Sequence, residues 1–219
     1  MYQLKYKHKS ENKLHRSSVF IGDLPGFQEH WGIKLEDVKH AVRGHVPNNY
    51  KIKYGINRDS KEFTKRPEKK DKVNCVCLVF DISTPADELP GKIQETFKSF
   101  QRWLLDKKIP YIVILTKCDL LNTDVEECKY RVFENNTLKV NKDKLIQMFG
   151  FKQSKMFPVV NYIHEDTVVP ECDALLIAAL REILKLGKDC FEDLDDNVSD
   201  DSDNEENGSE DRETNKANS

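Results

Sequence analysis

Two short strings in this chain carry residue types whose spacing suits ligand chemistry. Thr116-Lys117-Cys118-Asp119 directly follows the apolar run Tyr111 to Leu115 (YIVIL). An aspartate so placed can accept two parallel hydrogen bonds, from a ring N–H and the exocyclic amine beside it. Guanine presents that pair; adenine does not, and would leave the carboxylate unpaired. Lys117 would lay its aliphatic stem along the base. The alternative for the same string is a solvated turn in which Asp119 caps a helix. The second string, Asp23-Leu24-Pro25-Gly26, follows Ser17 to Gly22 (SSVFIG). In phosphate-binding α/β folds an aspartate at this point reaches Mg2+, often through water, while the glycine lets a backbone N–H approach the terminal phosphate. Alone, it reads equally as a type II Pro-Gly turn. Order gives the pair its meaning: the second string ends one strand, the first ends another about ninety residues later, and a strand and a helix lie between.

The elements that must hold these strings are legible from periodicity. Tyr2 to Lys9 alternates apolar and polar positions, and with SSVFIG it predicts an antiparallel hairpin with a long loop. Leu35, Val38, Val42 and Val46 fall at helical spacing before Pro47, and Asn48 to Lys72 is charged and aperiodic, as a long surface loop would be. Val73 to Phe80 (VNCVCLVF) and YIVIL are apolar and rich in β-branched residues, which suits parallel strands covered on both faces. Between them, Thr84-Pro85 predicts a cap and N1 proline, followed by a helix with Ile93, Phe97, Phe100 and Leu104 in one stripe. A helix over 142–149, a third strand over 156–160 (MFPVV) and an apolar helix over 174–186 buried against the sheet complete the series. The expected fold is α/β: a mostly parallel sheet flanked by helices, of the P-loop-GTPase-like kind, with ligands at the carboxyl ends of the strands.

Nowhere does G-x-x-x-x-G-K-[S/T] occur. The only Gly-Lys pairs, Gly91-Lys92 and Gly187-Lys188, continue into Ile93 and Asp189. The fold is therefore expected to lack the first strand and its phosphate-binding loop, with the hairpin strand pairing directly with VNCVCLVF if the sheet is to stay whole. Phe27 stands after Gly26, where many GTPases use a glutamine to orient water, and a phenyl ring cannot do so; Gln28 is adjacent. GTP hydrolysis by this chain is not expected, and GTP, GDP and Mg2+ should bind weakly or not at all, since most affinity for them comes from the phosphate cradle.

Composition divides the chain in two. The 219 residues carry 35 Lys+Arg and 38 Asp+Glu, a formal charge of -3. From Glu192 to Ser219, however, twelve acidic residues face only Arg212 and Lys216, so the tail holds -10 and residues 1–191 hold +7. With no aromatic in it, the tail cannot bury enough surface to offset its ordering entropy. The expected division is one domain over 1–191 and a disordered acidic tail over 192–219. No run approaches the roughly 18 apolar residues of a membrane span, and MYQLKYKHKSENK has no apolar signal-peptide core. Cys75, Cys77, Cys118, Cys128, Cys172 and Cys190 match no zinc spacing and read as reduced thiols of an intracellular protein, with Cys75 and Cys77 as small core hydrophobes.

These strings, together with Gly44-His45-Val46-Pro47-Asn48-Asn49-Tyr50, Asp81-Ile82-Ser83-Thr84 and Pro158-Val159-Val160-Asn161-Tyr162, resemble the interferon-induced protein 44 and 44-like family. The resemblance runs from about Tyr2 to Leu194 and is most specific in RGHVPNNY and PVVNY, which no generic GTPase requires. It implies a cytoplasmic GTP-binding domain of antiviral and innate immune responses without a well-defined catalytic activity. By resemblance Asp23 and Gly26 match the Mg2+ and γ-phosphate segment, Thr116, Lys117 and Asp119 the guanine segment, and Asn161 and Tyr162 the last loop beside the base. Family members usually carry an N-terminal domain and a phosphate-binding loop before the point at which this chain starts. The chain is thus expected to be a fragment, a truncated product, or a member that has lost nucleotide binding.

The remaining signals read plainly. The histidines His8, His15, His30, His40, His45 and His164 are scattered and expected at the surface or in caps. Cys118 beside Lys117 sits in a loop expected to be exposed, where a lowered pKa would make it reactive; the preferred reading is a plain variable position in the motif. The basic stretch 61–72 carries Glu62, Glu68 and Asp71 and reads as a solvated loop rather than a nucleic-acid or membrane contact. Ser202 is a phosphorylation candidate in the tail. Three functions fit: a binding or regulatory domain of the guanine-nucleotide type with engagement weak or lost, the C-terminal portion of an active GTPase, or a nucleotide-free scaffold for protein partners that works through its acidic tail.

Overall fold

The computed structural model describes residues 1–7, 14–28, 32–47, 50, 55–121, 125, 128–163 and 166–196. His8, His30, Asn48, Asn49, His164, the side chain of His15 and the tail from 197, Ser202 included, lie outside the described residues.

Two strands open the chain, β1 (Tyr2–Lys7) and β2 (Leu14–Ile21), paired antiparallel as the alternation predicts, with a register irregularity between Gln3 and Lys5. They form their own two-stranded sheet. A second sheet has the order β3-β4-β5, from β3 (Val76–Asp81), β4 (Tyr111–Thr116) and β5 (Met156–Pro158), all parallel. The hairpin therefore does not pair with β3, and the expected direct union of the two is not made among the described residues. The architecture is α/β, a three-stranded parallel sheet flanked by helices, compatible with a P-loop-like fold.

The central strand obeys the pattern that placed it. Tyr111, Ile112, Val113 and Leu115 are all buried, because β4 has a strand on each side and helices on its faces. The edge strand does not. In β3 the residues alternate, with Leu78 and Phe80 buried while Cys77 is exposed and Val79 is 55% exposed. Cys77 therefore leaves the core that VNCVCLVF suggested, since an edge strand with one bare face buries only every second side chain. Cys75 is half-buried.

Helices supply the rest of the core. The helix α1 (Leu35–Val42) buries Val38 and Val42. A 3-10 turn over Ala86–Glu88 follows Pro85, and α2 (Gly91–Asp106) begins only after Pro90, later than the Thr84-Pro85 pair predicts. Its stripe is as expected, with Ile93, Phe100 and Leu104 buried and Phe97 half-buried. The helix α3 (Asn136–Phe149) starts earlier than residue 142 because the Asn135 side chain accepts from Leu138 N–H at 2.8 Å, an N-cap bond, and it ends at Gly150 in the left-handed conformation. Phe80, Phe97, Phe149 and Phe151 gather in edge-to-face, tilted and stacked pairs between α2, α3 and β3, with ring centroids 4.7 to 6.0 Å apart.

The last helix, α4 (Pro170–Asp196), is longer than 174–186 and continues past residue 191. It rests on the sheet through Cys172, Leu175 and Ala179, whereas Ile177 is 58% exposed, so only one stripe of this apolar helix is covered. Its far end lies over the segment before β3, with Lys69 Nζ 3.8 Å from the Phe191 ring centroid. No helix among the described residues is long and apolar enough to cross a membrane.

Candidate functional site

The carboxyl end of β4 delivers the chain into a tight turn. Lys117 takes a left-handed conformation at φ 60°, unusual for a residue with a Cβ, and a 3-10 turn over Cys118–Leu121 follows. What holds this conformation is visible on both sides. The Lys117 ammonium pairs with the Asp81 carboxylate at the end of β3. Asp81 also accepts from the Ser83 backbone N–H at 3.0 Å and from its hydroxyl. Burial alone would raise the Asp81 pKa, but the Lys117 and Ser83 hydrogen bonds outweigh it and hold the carboxyl below its ordinary value. Thr116 Oγ1 donates to the Phe80 carbonyl at 3.2 Å, tying β4 to β3.

Cys118 is buried rather than exposed, which removes the reactive-thiol alternative. The turn rotates it fully into the core, where its Sγ lies 3.2 Å from the Leu115 carbonyl. Burial pushes the thiol up to about 12, the nearby Asp119 charge adding to this and a Val159 backbone hydrogen bond opposing it. Having a small apolar group at this position leaves its neighbours Lys117 and Asp119 facing outward.

A second loop comes in from β5. Val159 N–H bonds the Leu115 carbonyl at 2.8 Å, extending the β4–β5 ladder, and Val159 and Val160 are buried. Asn161 and Tyr162 then emerge into solvent. The Tyr162 hydroxyl accepts from Val169 N–H at 2.9 Å and lies 3.0 Å from the Val169 carbonyl and 2.9 Å from Asp173 Oδ1, so its ring is pinned to the start of α4. Between the two loops opens a cleft of about 440 Å³ lined by Lys117, Asp119, Leu120, Asn161, Tyr162 and Ile163. The fold thus brings together Lys117, Asp119, Asn161 and Tyr162, singled out in two distant stretches of sequence. Leu120 and Ile163, which periodicity could not single out, add apolar walls.

The other sequence candidates lie elsewhere. Thr116 faces Phe80 rather than the cleft lining. Asp23 and Gly26 are exposed in the loop after β2, where the Gly26 carbonyl accepts from Ile33 N–H at 3.3 Å. Phe27 packs edge-on against Phe97 and Phe100 at 5.2 and 6.1 Å, which makes it an anchor of this loop to α2. The residues present fit a planar, hydrogen-bonding ring: one acceptor carboxylate, one amide and apolar walls. No group of three or more His, Cys, Asp or Glu side chains that could hold a metal ion forms among the described residues.

An apolar-walled cleft with a few polar groups, at the carboxyl end of a parallel sheet, is the ligand position of open α/β domains. Among curated proteins, the chain is 29% identical over 194 residues to interferon-induced protein 44 of Mus musculus, covering 86% of this chain and 45% of that protein. It is 27% identical over 165 residues to interferon-induced protein 44-like of Homo sapiens, covering 74% of this chain and 36% of that protein. Interferon-induced protein 44 of Homo sapiens matches at 23% over 165 residues, again 74% of this chain and 37% of the relative. These proteins are homologues of the chain, and the resemblance to the interferon-induced protein 44 and 44-like family holds over most of its length. The chain spans less than half the length of these relatives. No protein-family model matches, and no solved structure does.

Proposed function

We propose that this chain is a guanine-nucleotide-binding type of domain of the interferon-induced 44-like kind, acting in the cytoplasm as a binding or regulatory component of innate immune and antiviral responses. The observation that carries this reading is the cleft at the end of β4, into which Asp119, Lys117 and Asn161 converge. Asp119 is the acceptor for the N1–H and exocyclic amine of guanine. Leu120 and Ile163, both exposed, and the pinned Tyr162 ring form apolar walls that a bound base would cover, and the hydrogen bonds made beneath it would then be shielded from water. Lys117, held by Asp81, flanks the base. Thr116 supports the turn from behind through Phe80.

Asp23 and Gly26 are assigned to the phosphate and Mg2+ side. Without a G-x-x-x-x-G-K-[S/T] segment among the 219 residues, these two offer little to a triphosphate, so GTP and GDP bind this chain weakly, with a Kd of about 10⁻⁴ to 10⁻³ M. Hydrolysis is not part of the reading, since Phe27 is committed to packing on Phe97 and Phe100. The protein then works through protein partners rather than turnover.

Isothermal titration calorimetry with GTP, GDP and ATP, each with Mg2+, on the wild type and Asp119→Ala tests this. The expected result is weak binding of both guanine nucleotides, none of ATP, and a loss of roughly tenfold or more in the variant. Equal heats for wild type and variant, or no heat with any nucleotide, would refute guanine recognition by this chain.

A further inference from the structure

The segment RGHVPNNY has no role in the base cleft, and its described residues build a different site. After α1 ends, Gly44 turns left-handed at φ 83°, and a Cβ there would lie 2.6 Å from the Asp71 carbonyl oxygen, so only glycine lets the chain fold back so closely. That reversal sets His45 against α1, with its ring 5.4 Å from the His40 ring at 80°. His45 Nδ1 lies 2.8 Å from the Thr64 carbonyl. A carbonyl only accepts, so Nδ1 carries the proton; Nε2 is the free ring position and donates to an anion only in the doubly protonated ring. Phe63 stacks on His45 at 5.0 Å and 4°, and meets His40 edge-on at 5.4 Å. Arg43 lies over the Trp103 ring at 5.2 Å, which fixes its guanidinium.

These rings and Arg43 wall a cleft of about 620 Å³ completed by Arg58, Asp59 and Lys65. Three permanent cations thus face one carboxylate, and none of the three forms an ion pair among the described residues. His40 Nδ1 is buried there without a hydrogen-bond partner. Converging cations, an imidazole whose second nitrogen donates once the ring is doubly protonated and a rigid aromatic wall make a receptor for a multiply charged oxyanion, because a single carboxylate would leave most of that positive charge unmet.

We propose that this cleft binds a phosphate-bearing anion of charge about −2 or more, a phosphate monoester or a diphosphate, held by Arg58 and Lys65 from the loop and by Arg43 and His45 from the end of α1. The site uses none of the base-cleft residues and does not depend on the guanine reading. Its protonation follows from the same charges. Burial first, and then Arg58, His45 and Arg43, hold the His40 pKa below the ordinary histidine value, with Glu36 acting the other way. A bound dianion offsets the field of Arg43 and Arg58 at His40, while Asp59 opposes the anion. His40 then keeps its proton to higher pH, and by linkage the anion binds more tightly as pH falls, down to about pH 6, where a phosphate monoester takes up a proton of its own and loses charge.

The test is calorimetry of the full chain with inorganic pyrophosphate at mildly acid pH, with sodium sulfate at equal ionic strength as control, on the wild type and on the double variant Arg58→Ala, Lys65→Ala. Both side chains are exposed, so the fold is kept. Pyrophosphate should bind, sulfate should compete poorly, and the double variant should lose roughly tenfold or more. The His40 Cε1–H resonance should titrate at higher pH when pyrophosphate is present, a response that a purely structural histidine would not give. Vesicles of phosphatidylcholine with and without a phosphoinositide separate the sources: phosphoinositide-dependent binding that pyrophosphate competes away assigns a lipid headgroup, and binding of pyrophosphate alone assigns a soluble phosphate compound. No binding of either, equal binding by the double variant, or sulfate competing as well as pyrophosphate overturns the proposal.

Discussion

Asn141 offers the sharpest test of how the base cleft is held. It is buried on α3, and its Nδ2 donates to the Ile82 carbonyl at 3.0 Å. Ile82 is 1% exposed, and its own N–H bonds the Thr116 carbonyl at 3.1 Å. One amide thus satisfies the first residue after β3, next to the Asp81 carboxylate that holds Lys117. Replacing Asn141 by leucine keeps similar bulk but leaves a buried acceptor without a partner, a cost of about 1–3 kcal/mol, while the added apolar burial recovers part of it. The net expectation is a loss of about 1–2 kcal/mol. Asn141→Asp should cost more, because a carboxylate oxygen would face the carbonyl lone pairs in a dry site. Urea unfolding followed by circular dichroism measures this: with an m-value of about 2 kcal/mol/M, the midpoint should fall by roughly 0.5–1 M without a change in slope. Val140, the neighbouring residue, is 54% exposed, and Val140→Ala should move stability by no more than about 0.5 kcal/mol. If Asn141→Leu unfolds at the wild-type midpoint, or above it, the bond to Ile82 contributes nothing and the account of how the loop is anchored is wrong.

Other expectations are as direct. Cys118 keeps its proton to about pH 12 when folded, against an ordinary value of 9.0. Above pH 9 the unfolded chain therefore binds fewer protons than the folded one. The stability this group contributes is complete below that pH and is lost as pH rises towards 12, at up to about 1.4 kcal/mol per pH unit. Cys118→Ala should flatten this alkaline decline in chemical-denaturation curves recorded at several pH values; an unchanged slope would count against the buried thiol. In thiol labelling followed by peptide mass spectrometry, Cys77 should react in the folded protein, slowly because desolvation pushes its thiol up to about 11, while Cys118 and Cys172 wait for unfolding; early labelling of Cys118 would refute its burial. Gly150→Ala should cost about 1 kcal/mol, since its φ of 71° is the only obstacle and nothing lies within 4 Å of the added methyl. Gly44→Ala should cost at least about 2 kcal/mol, because the strain is joined by a collision with the Asp71 backbone, and equal thermal shifts for the two variants would contradict that difference.

The order of elements was legible because each rests on local chemistry. The β-branched run at 111–115 can hardly form anything but a buried strand, and the stripe Ile93, Phe97, Phe100, Leu104 can hardly form anything but a packed helix. The base-cleft residues were legible for a related reason, since a strand end of a parallel sheet is a predictable place and Asp119 and Asn161 each follow one. Helix ends were harder to place: Thr84-Pro85 looked like an N-terminus, yet the chain makes a 3-10 turn first and starts α2 after Pro90. A second Pro-led start lies five residues on, and local signals cannot choose between two acceptable caps.

What the sequence determined by itself is the material of the fold: periods, breakers and the two strings at strand ends. Tertiary structure alone decided which faces are covered. It left Cys77 outside because β3 is an edge, turned Cys118 into the core because Lys117 is left-handed, and tied Lys117 to Asp81 across two strands. It also joined His40, His45, Phe63 and Arg58 into one cleft through the turn at Gly44. Periodicity records how one residue sits relative to its near neighbours along the chain. Burial, charge and hydrogen-bond partners depend on what arrives from elsewhere, and only the packed chain holds that information.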